Sequence, residues 1–204
     1  MRLLLAALTV IATTPGVHHT PAGMTAAHRA LVTRTNLGPG WKAGATPKKP
    51  GALACRAPAT LKGVIETGAA VSPLYSASGS GPFVSASSFV YDTAAGAARF
   101  FEQIAKPNAL PCLSQSLASG KSAAGVTFTV TRRQTLAAPR LGVTTAAYRV
   151  IGHASVAAQR VTVYADVILL QRASTIVELS FASFSAPVPA ATETRIGRAA
   201  ASRL

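Results

Sequence analysis

The chain has 204 residues, 49% hydrophobic and 13% charged, against about 25% charged in an average soluble domain. Without an export leader roughly 180 residues remain, which suits one domain with one core and excludes disorder over most of the length. Twenty Lys and Arg against six Asp and Glu give a net charge of +14, which either favours contact with polyanions or simply keeps an Ala-rich surface soluble.

Residues 1–23 read as a secretory signal peptide and linker. Arg2 supplies the positive start, and Leu3 to Ala12 form an apolar run of about ten residues, short of the roughly 20 that span a bilayer. Thr14/Gly16 and Thr20/Ala22 both offer small residues at the −3/−1 positions of a peptidase site, and Thr13 to Gly23 has the Pro, Gly and His content of a mobile linker. A single α+β domain is expected over 24–204. It starts with a helix over Met24 to Thr35 that Thr25 can cap and that turns Leu31 inward. Leu37-Gly-Pro-Gly-Trp41 then forces a turn, Gly44 to Ala59 reads as an extended surface segment, and Leu61 to Ala70 is ambiguous, with weak helical spacing broken by glycines.

Phe83 to Tyr91 interleaves Ser with Phe, Val and Tyr as a half-buried strand does. Ala94 to Ala105 puts Ala97, Phe100, Phe101 and Ile104 on one helical face behind a cap at Asp92 or Thr93. Pro107 ends it, with a further helical turn around Cys112 to Leu117. Val126 to Thr131 alternates cleanly, and Thr144 to Gly152, Arg160 to Gln171 and Thr175 to Phe184 follow as strands, the last two joined as a hairpin. Ala191 to Leu204 closes as an amphipathic helix with Arg195, Arg198 and Arg203 outward. Strands gathered after helices imply an antiparallel sheet of about five strands flanked by helices.

The opening helix, the turn Leu37-Gly-Pro-Gly-Trp41 and the hairpin strands before a terminal helix resemble the secreted sensor-like domains of high-GC Gram-positive bacteria. That family is similar to the extracellular sensor domain of the receptor kinase PknH. The resemblance implies an antiparallel sheet flanked by helices with a cleft for a small ligand. The kinase sensor domain has two disulfides, whereas two cysteines here allow one, and this sequence shows no kinase domain, so signalling and ligand residues do not carry over.

In an exported chain Cys55 and Cys112 are candidates for one structural disulfide, worth on the order of 4 kcal/mol through loop closure. Two free thiols are the alternative, although neither cysteine has a His or Cys neighbour. Candidate ligand-cleft residues are Trp41, Tyr164, Asp166 and Glu178. Trp41 could equally plug a core edge, and Asp166 could be a surface carboxylate paired with Arg149 or Arg172. Asp166 and Glu178 would serve as acid and base only if register brought them together. Arg132, Arg133, Arg140 and Arg149 form the densest basic group, a candidate for anion binding, and without interleaved aromatics no nucleic-acid partner is expected. His153 reads as an exposed turn residue and His18-His19 as part of the linker. No pattern specifies a catalytic residue, a metal or a cofactor. The expected function is an extracytoplasmic, non-enzymatic ligand-binding or sensor-like module. The alternative is a cationic envelope protein that touches the membrane or wall peripherally through anionic lipid or polymer. Neither the ligand nor the oligomeric state is legible.

Overall fold

The long alternating segments of the C-terminal half become the longest strands of one large sheet, seen in a computed structural model that describes residues 16–47, 61, 63–79, 81–106, 110–111, 127–156, 159–184 and 186–204. In chain order the elements are α1 (Pro21–Ala30), α2 (Arg34–Leu37), β1 (Lys42–Ala43), β2 (Glu66–Val71), β3 (Tyr75–Ser76), β4 (Phe83–Tyr91), α3 (Ala94–Ile104), β5 (Thr127–Leu136), β6 (Thr144–Val156), β7 (Gln159–Arg172), β8 (Thr175–Phe184) and α4 (Ala190–Ala201). The sheet is antiparallel and runs β1-β3-β4-β8-β7-β6-β5, with β2 and β3 sharing the edge of β4 that β8 leaves open. The α+β class is as expected, but the sheet has eight strands instead of about five.

The extra strands are short ones that alternation does not announce. Strand β2, ETGAAV, falls where the spacing looked weakly helical, and its small residues have a packing reason. Helix α1 lies so close on β2 that a Cβ on Gly68 would overlap the Gly23 backbone, and one on Gly23 would overlap Thr67. Glycine is required on both sides of this contact because only bare backbone fits.

The N-terminal boundary also moves. Gly16 to Thr20 is not a free linker: His18 N–H donates to Glu66 O at 2.9 Å, Thr20 N–H to Thr67 O at 2.8 Å, and Glu66 N–H to Gly16 O at 2.9 Å. Thr20, not Thr25, caps α1, accepting from Gly23 N–H at 3.0 Å with Pro21 next in the first turn. The single helix expected over Met24 to Thr35 is therefore two: α1 ends at Ala30, and α2 is one turn started by a capping box between Thr33 and Asn36. Residues 1–15, Cys55, Cys112 and the expected turn over Cys112 to Leu117 lie outside the described residues.

Both faces of the sheet are covered. On one, the predicted stripe of α3 packs Ala97, Phe100, Phe101 and Ile104 onto Phe89, Tyr148, Val167, Leu169 and Ile176. Thr93 caps that helix through Gly96 N–H at 3.0 Å. On the other, α1 and α4 pack Ala27, Ala30, Ile196 and Ala200 onto Val84, Val90, Ile168, Val177, Leu179 and Phe181. Each large side chain so enclosed contributes roughly 1.5–3 kcal/mol of transfer free energy. Strand β4 is hence buried at all nine positions rather than half-buried. Its Ser88 hydroxyl, 2.5 Å from Ala27 O, satisfies a carbonyl near the end of α1.

Candidate functional site

Register decides which charged side chains meet. Arg149 on β6 stands directly opposite Asp166 on β7, and both point to the face that α4 covers. The guanidinium grips the carboxylate in a two-point pair, Nε to Oδ1 at 2.6 Å and Nη2 to Oδ2 at 2.7 Å. Asp166 is 1% exposed. The surface pairing expected for it is thus a buried one, with Arg149 as the partner. Arg172 sits instead at the β7–β8 turn, opposite Thr175.

Helix α4 adds a third group. Glu193 is 7% exposed and shares the buried stripe of Ile196, Gly197 and Ala200, at i, i+3, i+4 and i+7. Its carboxyl is pushed up to about 8, first by burial, then by a hydrogen bond to Asp166 and the negative charge of Asp166, with Arg149 pulling the other way. Two enclosed carboxyls beside one guanidinium cannot both ionise without leaving a net buried charge, so at neutral pH the trio holds one ion pair and one carboxylic acid. Arg149 in turn holds its proton more firmly, through the hydrogen bond to Asp166. The helical phase of Glu193 is the signal that sequence reading missed.

The predicted cleft does not assemble. Glu178 pairs with Leu169 across β7–β8 and faces the α3 side, where Ser180 Oγ donates to its Oε1 at 2.9 Å. Asp166 faces the opposite side, so the two carboxyls cannot act as acid and base on one substrate. Trp41 is 6% exposed and belongs to the α1/α4 core, the plugging role. Tyr164 shares the Asp166 face and is half-buried. Nor do the four arginines converge: Arg149 is committed to Asp166, Arg132 and Arg133 leave opposite faces of β5, and Arg140 lies in the β5–β6 connection. His153 is not in a turn but inside β6, half-buried opposite Thr162. Among the described residues no group of three or more His, Cys, Asp or Glu is placed to hold a metal.

A second polar cluster fastens the N-terminal segment. His19 Nε2 lies 2.9 Å from Glu66 Oε1, and Glu66 stands opposite Tyr91 in the β2–β4 register. Burial raises Glu66, partly offset by His19, and burial plus the Glu66 charge raises the Tyr91 phenol well above its ordinary range.

The acids are distributed very unevenly. Glu66, Asp166, Glu178 and Glu193 are buried, which is four of the chain's six carboxylates, leaving only Asp92 and Glu102 exposed. Twelve Lys and Arg of the described residues are exposed. The exterior is therefore more one-sidedly cationic than the net charge suggests. One concavity, of about 620 Å³, opens between the β5–β6 connection and the β7–β8 turn, with Arg140, Arg172, Thr144, Thr145 and Gln171 among its walls and no acidic residue. The sequence offered Arg140 as an anion-binding candidate and Arg172 only as a partner for Asp166, because the two connections are distant in the chain and meet only through strand order.

No family model matches the chain, and no curated protein matches it. Among solved structures, the extracellular domain of PknH from Mycobacterium tuberculosis has a similar fold, with a TM-score of 0.50 and 10% identity, over 91% of this chain and 100% of that one. The likeness is one of fold. No helix among the described residues is long and apolar enough to cross a membrane.

Proposed function

We propose that this chain is an extracytoplasmic, non-enzymatic, sensor-like binding module whose ligand is anionic. The observation that carries the reading is the segregation of charge: the fold buries four of its six carboxylates and leaves twelve described cations in water. A surface of that kind raises the local concentration of anions and speeds their encounter. The fold likeness to an extracellular domain, together with the leader-like Arg2 and Leu3 to Ala12, supports the location. Export in this form requires a cut that spares the docked segment. Cleavage after Ala22 would fall inside α1 and discard its Thr20 cap, whereas cleavage after Gly16 keeps the cap and the bonds that His18 and Thr20 donate. N-terminal sequencing of secreted protein is expected to begin at Val17, and a start at Gly23 would contradict the assignment.

Retention at the wall or membrane is a second reading, favoured by the same exposed cations. The two separate by salt and stoichiometry. A small anionic ligand would be retained in native mass spectrometry at one per chain. Envelope retention would appear as cosedimentation with anionic, but not neutral, liposomes that is abolished at high ionic strength. Absence of both behaviours would remove the anionic reading altogether.

A further inference from the structure

The concavity at the β5–β6 and β7–β8 turns carries a more specific assignment, which rests on the anionic reading above. Among the described residues its two arginines have no acid to pair with. Asp166 is held by Arg149, Glu66 by His19 and Glu178 by Ser180 on the α3 face, while Glu193 is under α4, and neither Asp92 nor Glu102 lines the concavity. Arg140 and Arg172 are both exposed, and both line this open space.

The walls are braced by contacts of their own residues and by α4. Thr145 Oγ1 donates to Pro139 O at 3.2 Å, bracing the β5–β6 connection, and Gln171 Nε2 donates to Ala173 O at 2.8 Å, bracing the β7–β8 turn. Leu141 packs against Gly197 of α4 so closely that a Cβ there would overlap it. These contacts leave the two guanidiniums as the charged donors at the rim. Planar guanidiniums match the oxygens of a phosphate group two at a time.

We propose that this concavity is a subsite for a phosphate group, with Arg140 and Arg172 as its cationic arms. The phosphate can belong to a free small molecule or to a lipid headgroup, and the chemistry of capture is the same.

The test uses the secreted protein, titrated with inorganic phosphate and glycerol phosphate by calorimetry, and separately with phosphatidylglycerol and phosphatidylcholine vesicles. The double variant R140Q/R172Q is compared with R99Q/R198Q, which removes the same charge from exposed positions on α3 and α4. Thermal melts confirm that both variants fold. The expected result is a loss of at least roughly tenfold in affinity for R140Q/R172Q and less than about twofold for the comparator. Saturable binding of the soluble phosphates assigns a free ligand, and binding confined to phosphatidylglycerol vesicles assigns a headgroup. Equal weakening of both variants would overturn the subsite while leaving a diffuse anionic attraction. Failure of the unaltered protein to bind any of these probes would instead remove the anionic reading.

Discussion

Replacing Glu193 with Gln tests the buried trio beneath α4 most directly. Glu193 titrates near 8 in the folded protein against an ordinary value near 4.5. A carboxyl raised in this way keeps its proton in the folded state while the unfolded chain releases it. Stability is therefore greatest below the unfolded value, falls as pH rises through the interval, and levels off above about 8. At about 1.4 kcal/mol per pH unit, the native protein loses up to about 4 kcal/mol between pH 5 and pH 9 through this group. Gln has nearly the same shape and cannot ionise, so E193Q removes the loss. The variant is expected to match the native protein within about 1 kcal/mol at pH 5, and to exceed it by about 3–4 kcal/mol at pH 9. For a domain of this size the gain is an increase in Tm of about 10 °C. Urea unfolding followed by far-UV circular dichroism at half-unit pH steps measures the difference, which cancels the parallel contribution of Glu66. A difference that stays flat across the range would show that Glu193 is solvated, and would refute the packing of α4 against Asp166.

Three further substitutions probe separate parts of the fold. R149M leaves the Asp166 carboxylate buried without its cation and is expected to cost about 3–5 kcal/mol; R149M/D166L should recover most of it in the same unfolding assay. A cost below about 1 kcal/mol, the size of a surface pair, would count against a buried one. G68A forces a Cβ into the Gly23 backbone and should destabilise by roughly 1–3 kcal/mol, with amides of α1 losing hydrogen-exchange protection first. Ala173, at φ 49°, is the one non-glycine residue of the described set in the left-handed region, so A173G should stabilise by about 1 kcal/mol, and no gain would mean that the turn relaxes in solution.

Local order was legible wherever a short period repeats. The alternation of Val, Ile and Leu along β7 and β8 and the Ala97, Phe100, Phe101, Ile104 stripe of α3 state their own secondary structure, because side-chain direction follows chain geometry residue by residue. The two-residue link between Arg172 and Thr175 even contained the fate of the proposed acid–base pair. A hairpin closed there sets Asp166 opposite Phe181 and Glu178 opposite Leu169, which places the two carboxyls on opposite faces. What alternation could not announce were the short edge strands. β2 is a strand because β4 pairs with it and α1 closes over its Gly68, not because ETGAAV prefers to be one.

The amino-acid sequence by itself determined the class of the fold, its long strands and helices and its excess of positive charge, since all of these are sums or short-range patterns. Tertiary structure alone decided where that charge is felt. Arg149 finds Asp166 by strand register and Glu193 joins them by the docking of a helix, so the acids retire into the interior while Arg140 and Arg172, 32 residues apart, reach one concavity. The physical reason is that burial and cross-strand pairing are properties of neighbours in space, and the dielectric around a carboxyl depends on what packs over it.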